Sequence, residues 1–90
     1  MPDAQADRLK RLRLRAWRRG FREIDLILGG FADKMLDQLD DDSLQSFEAI
    51  LNLNDQDVYE WLIGRSESPS EFAALIASIR SISDPLTRKP

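Results

Sequence analysis

The sequence predicts an all-α protein, a compact single-domain bundle of five helices. Apolar residues recur at steps of three and four along most of the 90 residues, and no segment alternates with period two. Helix-starting and helix-ending residues also stand at the ends of the apolar runs: Asp40, Asn54 and Ser68-Pro69 at starts, Gly20 and Gly64 at stops. A chain of this length supports one small core and does not enclose a deep active site.

Leu9, Leu12 and Ala16 place a first helix over about residues 6–18, with Gly20 as its stop. Ile24, Ile27, Leu28, Phe31, Met35 and Leu39 predict a long second helix over about 21–38. Gly29-Gly30 interrupts it, and each glycine costs a helix about 1 kcal/mol against alanine. The pair is therefore expected to kink the helix or to let another backbone approach closely. Asp40-Asp41-Asp42-Ser43 supplies a cap and negative charge for a third helix that turns Leu44, Phe47, Ile50 and Leu51 inward. Asn54 caps a fourth, with Val58, Trp61 and Leu62 on one face and Gly64 past its end. Ser68-Pro69-Ser70-Glu71 has the form of a capping box with proline at the first helical position, opening a fifth helix with Phe72, Leu75, Ile76 and Ile79. Asp84-Pro85 ends the pattern, so residues 1–5 are expected as a flexible lead, 6–82 as the domain and 83–90 as a loose tail.

The chain contains no His and no Cys, which removes the usual general base, thiolate ligands and disulfides. No catalytic residue and no metal ligand is expected. Asp40-Asp41-Asp42 lacks the alternating acids, central glycine and closing glutamate of a calcium loop. Met1 to Asp7 is polar, and no apolar run approaches the ~18 residues of a membrane span, so a cytoplasmic protein with no membrane attachment is expected.

The net charge of −3 conceals a segregation. Residues 8–22 hold eight Lys/Arg and no acid, while residues 23–62 hold eleven acids and one base, Lys34. Such a molecule can steer a charged partner, and part of the charge is expected to pair between helices. The basic stripe with Trp17 also admits nucleic-acid binding as a rival reading, against which stands a pI of about 4.8.

Arg19-Gly20-Phe21-Arg22-Glu23 lies where the basic segment meets the acidic one. It resembles the RGxxE signature of the succinate dehydrogenase assembly factor 2 family. The resemblance continues through Glu23-Ile24-Asp25-Leu26, the Asp-rich start of the third helix and Asn54-Asp55-Gln56-Asp57-Val58-Tyr59-Glu60-Trp61-Leu62, covering about residues 8–80. Gly29-Gly30 departs from it, since members commonly carry bulkier apolar residues or a proline there.

The resemblance implies a five-helix, chaperone-like factor that binds the flavoprotein subunit of succinate dehydrogenase, and often that of fumarate reductase. It promotes covalent attachment of FAD to a histidine of that partner. No cofactor is then bound tightly by this chain, because FAD is handled on the partner flavoprotein; no glycine-rich strand-to-helix turn is present to take its pyrophosphate. The expected partner-binding residues are Arg19, Gly20, Phe21, Arg22 and Glu23, with Asp25 in support and Arg15 and Trp17 beside them. A monomer that binds no nucleic acid is expected. The resemblance leaves open an antitoxin-like regulatory role, a label attached to members of the same family.

Each of these residues also has a purely structural reading. Gly20 serves as a helix stop, Glu23 complements the amino end of the second helix, and Arg19 pairs with Glu23. Phe31, Phe47, Trp61 and Leu62 fall at core spacing, and Trp17 stands between core cover and interface anchor.

Overall fold

The computed structural model describes residues 4–83. Five α-helices follow one another: α1 (Ala4–Ala16), α2 (Arg22–Met35), α3 (Asp41–Leu51), α4 (Asp55–Leu62) and α5 (Ala73–Ser83). Short 3₁₀ turns, Leu36–Gln38 and Ser70–Phe72, extend α2 and precede α5. No strand occurs among the described residues. The bundle is built around α2, which packs against α1 on one side and α5 on the other; α3 meets both α1 and α5, and α4 rests on α5.

The sequence spacing explains this arrangement. Ile24, Ile27, Leu28, Phe31 and Ala32 form one buried stripe on α2, because residues three and four apart share a helix face. Leu12 and Ala16 of α1, Leu44, Phe47, Ile50 and Leu51 of α3, Val58 and Leu62 of α4, and Leu75, Ile76 and Ile79 of α5 close on it. Phe31 and Phe47 meet at the centre, with ring centroids 5.7 Å apart. Trp61 is only partly buried and stacks on Phe72 at 6.4 Å.

The helix starts follow local chemistry. The Asp40 carboxylate accepts the Ser43 backbone N–H at 2.8 Å and caps α3. The Asn54 side chain accepts from Gln56 N–H and Asp57 N–H at 2.9 and 3.2 Å and caps α4. Gly64, at φ +79, ends α4 in the left-handed conformation that glycine adopts without a Cβ penalty.

Four expectations need correction. First, α1 stops at Ala16, before Gly20, and Gly20 does not take a positive φ, so it is not the stop of that helix. Second, α2 runs unbroken through Gly29-Gly30, and the close neighbour is a side chain, the Trp17 indole, rather than a backbone. Third, α2 ends at Met35 and a 3₁₀ turn follows, in which Leu36 is fully buried, while Met35 and Leu39 are only partly buried against the core. Fourth, Pro69 has ψ 146 and lies outside the helix, so no Ser68–Glu71 capping box forms; the Pro69 carbonyl accepts from Phe72 N–H instead. Ala4, Gln5 and Ser83 are helical, and Asp84-Pro85 with the rest of the expected termini lies outside the described residues. Among the described residues no helix is long and apolar enough to cross a membrane.

Candidate partner-binding site

Past Ala16 the chain leaves α1 and crosses to α2 in five residues. Trp17 pins the start of that crossing. Its indole lies on Gly29 of α2, where an added Cβ would come within 2.7 Å of three ring carbons. The ring N–H donates to Asp33 Oδ2 at 3.2 Å.

Arg19 pins the middle. Its backbone N–H donates to Asp25 Oδ1 at 2.6 Å, so Asp25 ties the crossing to the first turn of α2. Its guanidinium reaches Asp55 Oδ1 through Nε at 2.8 Å and Nη2 at 2.6 Å, and donates to the Leu53 carbonyl at 3.2 Å. Only 11% of this side chain is exposed. The donors of Arg19 are thus engaged by the amino end of α4, and not by Glu23, the internal partner weighed from sequence.

Gly20 fits closely against the same contact. A Cβ there would stand 2.7 Å from Asp55 Oδ2, the second oxygen of the carboxylate that holds Arg19. The absence of a side chain, rather than a special backbone angle, explains this glycine. Phe21 then enters α2 in extended conformation, at φ −154, and sets its ring edge-on to Tyr59 of α4 at 5.0 Å and 89°. Such edge-to-face pairs are worth about 1 kcal/mol beyond their burial.

Arg22 and Glu23 behave differently. Both are exposed in the first turn of α2, and neither has an ion pair or a side-chain hydrogen bond among the described residues. The five-residue motif therefore divides into an anchored half, Arg19 to Phe21, and a free half. Arg15, on the flank, donates to Asn52 Oδ1 in the α3–α4 connection.

Sequence reasoning missed Asp55, Tyr59 and Leu53 as parts of this site. In the sequence Asp55 simply follows the Asn54 cap, with nothing local to tie it to Arg19. The available signal was that residues 54–62 form a second stretch carrying the family resemblance, which a helix face alone does not explain.

Half of the basic segment is consumed inside the molecule. Arg8 pairs with Glu48 at 3.0 Å, Arg13 reaches Asp33 and Asp37 at 3.5 and 3.3 Å, Arg15 bonds Asn52, and Arg19 holds Asp55. An open groove at the other end of α4, lined by Trp61, Arg65, Ile76 and Arg80 among others, is separate from the motif.

Comparison with known proteins places the chain in a family. The family model described as "flavinator of succinate dehydrogenase" matches residues 10–83, which include every residue of the site. A FAD assembly factor SdhE from Legionella pneumophila is 36% identical over 64 residues, covering 71% of this chain and 81% of its own length. Another from Acetobacter pasteurianus is 38% identical over 71 residues, covering 79% and 65%. The mitochondrial succinate dehydrogenase assembly factor 2 of Arabidopsis thaliana is 33% identical over 61 residues, covering 68% of this chain and 32% of the relative. These relatives are assembly factors rather than enzymes. The chain belongs to the family of succinate dehydrogenase flavinators.

Proposed function

We propose that this chain binds the flavoprotein subunit of succinate dehydrogenase, and that of fumarate reductase, and thereby promotes covalent attachment of FAD to it. The observation that carries the reading is the division of Arg19-Gly20-Phe21-Arg22-Glu23 into anchored and free halves. Asp25 holds the backbone of the motif, and Asp55 and Tyr59 hold the side chains of Arg19 and Phe21. Arg22 and Glu23 are thereby presented without internal partners.

A rigid platform of this kind suits a template. Fixing another protein's reacting groups in near-attack geometry lowers the barrier without any acid or base on the template. The flavin and the histidine that receives it belong to the partner. Arg22 offers a planar fork of donors to a carboxylate or carbonyl of the partner, and Glu23 an acceptor beside it. The working form is a cytoplasmic monomer. A nucleic-acid reading loses ground because four of the eight basic side chains of residues 8–22 are already engaged within the chain.

The test is to express the flavoprotein subunit with and without this chain and to read covalent flavin by in-gel fluorescence after denaturation. The expected result is a clear rise that Glu23→Ala removes while leaving the helical signal intact. Glu23 is the better probe than Gly20→Arg, since an arginine at position 20 also displaces Asp55 from Arg19. No rise in covalent flavin and no complex on a sizing column would overturn the reading.

A further inference from the structure

The basic residues of α1 sort by helix face. Arg8, Arg13 and Arg15 flank the buried stripe of Leu12 and Ala16, and each reaches a side chain of α2, the turn after it, α3 or the α3–α4 connection. Lys10 and Arg11 lie on the opposite, outer face, together with Leu14, which is four residues from Lys10 and three from Arg11. Both cations are exposed and have no ion pair among the described residues. Arg18, just past the helix, is in the same condition. Leu14 is 50% exposed, the most exposed large apolar side chain of the described residues. Asp7 is the one carboxylate on this face of α1.

The other two exposed large apolar side chains belong to the same region. Trp17, at 37%, follows α1, and Leu53, at 36%, is in the residue whose carbonyl accepts from Arg19. Exposed apolar side chains thus gather at the end of the molecule that carries the RGxxE motif.

We propose that the outer face of α1, formed by Lys10, Arg11, Leu14 and Arg18, is a second contact surface for the same partner, fitting an acidic protein surface with a small apolar recess for Leu14. This rests on the partner reading above and adds a region of contact to it. Two features favour a protein over a polyanion. The exposed leucine amid the cations can seat in an apolar recess of a folded surface, which a phosphate backbone does not offer. The patch is also bounded on both sides by carboxylates, Glu48 beyond Arg8 and Asp33 and Asp37 beyond Arg13. An extended anionic lattice would run across them, whereas a localised acidic patch fits between. Exposed charges at an interface rim act chiefly on association rate and salt dependence, and the apolar anchor acts on dissociation.

The experiment compares binding of the flavoprotein subunit to the full chain, to Lys10→Glu/Arg11→Glu, to Leu14→Asp and to Glu23→Ala, across a series of salt concentrations. Since residues 10, 11 and 14 face solvent, all variants are expected to keep the parent's helical signal and melting temperature. The charge-reversed variant is expected to bind on the order of tenfold more weakly at low salt, with a shallower salt dependence. Leu14→Asp is expected to dissociate faster at every salt concentration. Glu23→Ala is expected to lose affinity while keeping the parent's salt slope. Unchanged affinity and slope in both patch variants, with Glu23→Ala still weakened, would overturn the second surface and leave the partner reading standing. Unchanged binding in all three would count against the partner reading itself. Binding of duplex DNA or anionic phospholipid vesicles that the charge reversal abolishes, with flavoprotein affinity unaltered, would overturn the assignment to a protein surface.

Discussion

Gly29 and Gly30 are adjacent in one helix, yet alanine is expected to act on them with opposite sign. In an exposed helix interior, Gly→Ala stabilises by about 0.5–1 kcal/mol, chiefly by reducing the freedom of the unfolded chain. Gly30 meets that condition, since an added Cβ finds nothing within 4 Å. At Gly29 the Cβ would overlap three carbons of the Trp17 indole. A fused ring cannot bend away at its tip, so either the indole swings off and loses its bond to Asp33, or α1 and α2 move apart. Overpacking of this kind costs about 1–3 kcal/mol and outweighs the propensity gain. Gly29→Ala is therefore expected to be destabilised by about 1–2 kcal/mol and Gly30→Ala stabilised by up to about 1 kcal/mol. At about 4–8 °C per kcal/mol for a domain of this size, the two melting temperatures should differ by roughly 6–24 °C. Thermal melts followed by circular dichroism read the difference. Gly29→Ala in a Trp17→Ala background supplies the control, because without the indole the alanine should become neutral or stabilising. A Gly29→Ala melting temperature equal to or above that of Gly30→Ala would refute the packing argument.

Other perturbations separate the anchored from the free half of the motif. Asp55→Ala is expected to cost about 1–2 kcal/mol, measured by urea unfolding, because a guanidinium with little exposure loses its charged acceptor. It should also reduce covalent flavin with all five motif residues intact; full activity in this variant would mean that the anchoring is incidental. Glu23→Ala should weaken the complex in titration far more than Glu60→Ala, and equal effects would argue against contact through the motif. Asn54→Ala removes the acceptor for two backbone N–H groups and should destabilise by about 1 kcal/mol, a shift of several degrees in the melt. The Asp40 carboxyl is held below its ordinary range by the backbone N–H of Ser43 and secondarily by the Ser43 hydroxyl. Its folded value is thus lower than its unfolded one, so the cap stabilises above the ordinary aspartate range, near pH 4, and fails as pH falls through the lowered value. Asp40→Asn keeps an acceptor that does not titrate, and its stability should decline less than the parent's in that acid window; parallel pH profiles would exclude the cap as a source of acid sensitivity.

The sequence by itself determined the helices. Periodic apolar residues must share a face, and Asp40, Asn54 and Gly64 mark ends through bonds and backbone angles formed within a few residues, so the five elements and most of the core were legible from local information. The motif was legible as well, as a resemblance. What each of its residues does was decided only by the tertiary structure, because those contacts join positions far apart in the chain: Arg19 with Asp55, Phe21 with Tyr59, Trp17 with Gly29. A lone glycine in a sequence reads equally as a helix stop, a hinge or a place of close approach. Gly20 and Gly29 proved to be the last of these, for a carboxylate that arrives from α4 and an indole that arrives from the crossing after α1. The fate of the basic segment was likewise open until the helices packed, since helix spacing assigns each charge a face but cannot say which faces meet carboxylates. Packing gave the cations beside the buried stripe of α1 partners within the chain and left those on its outer face to solvent.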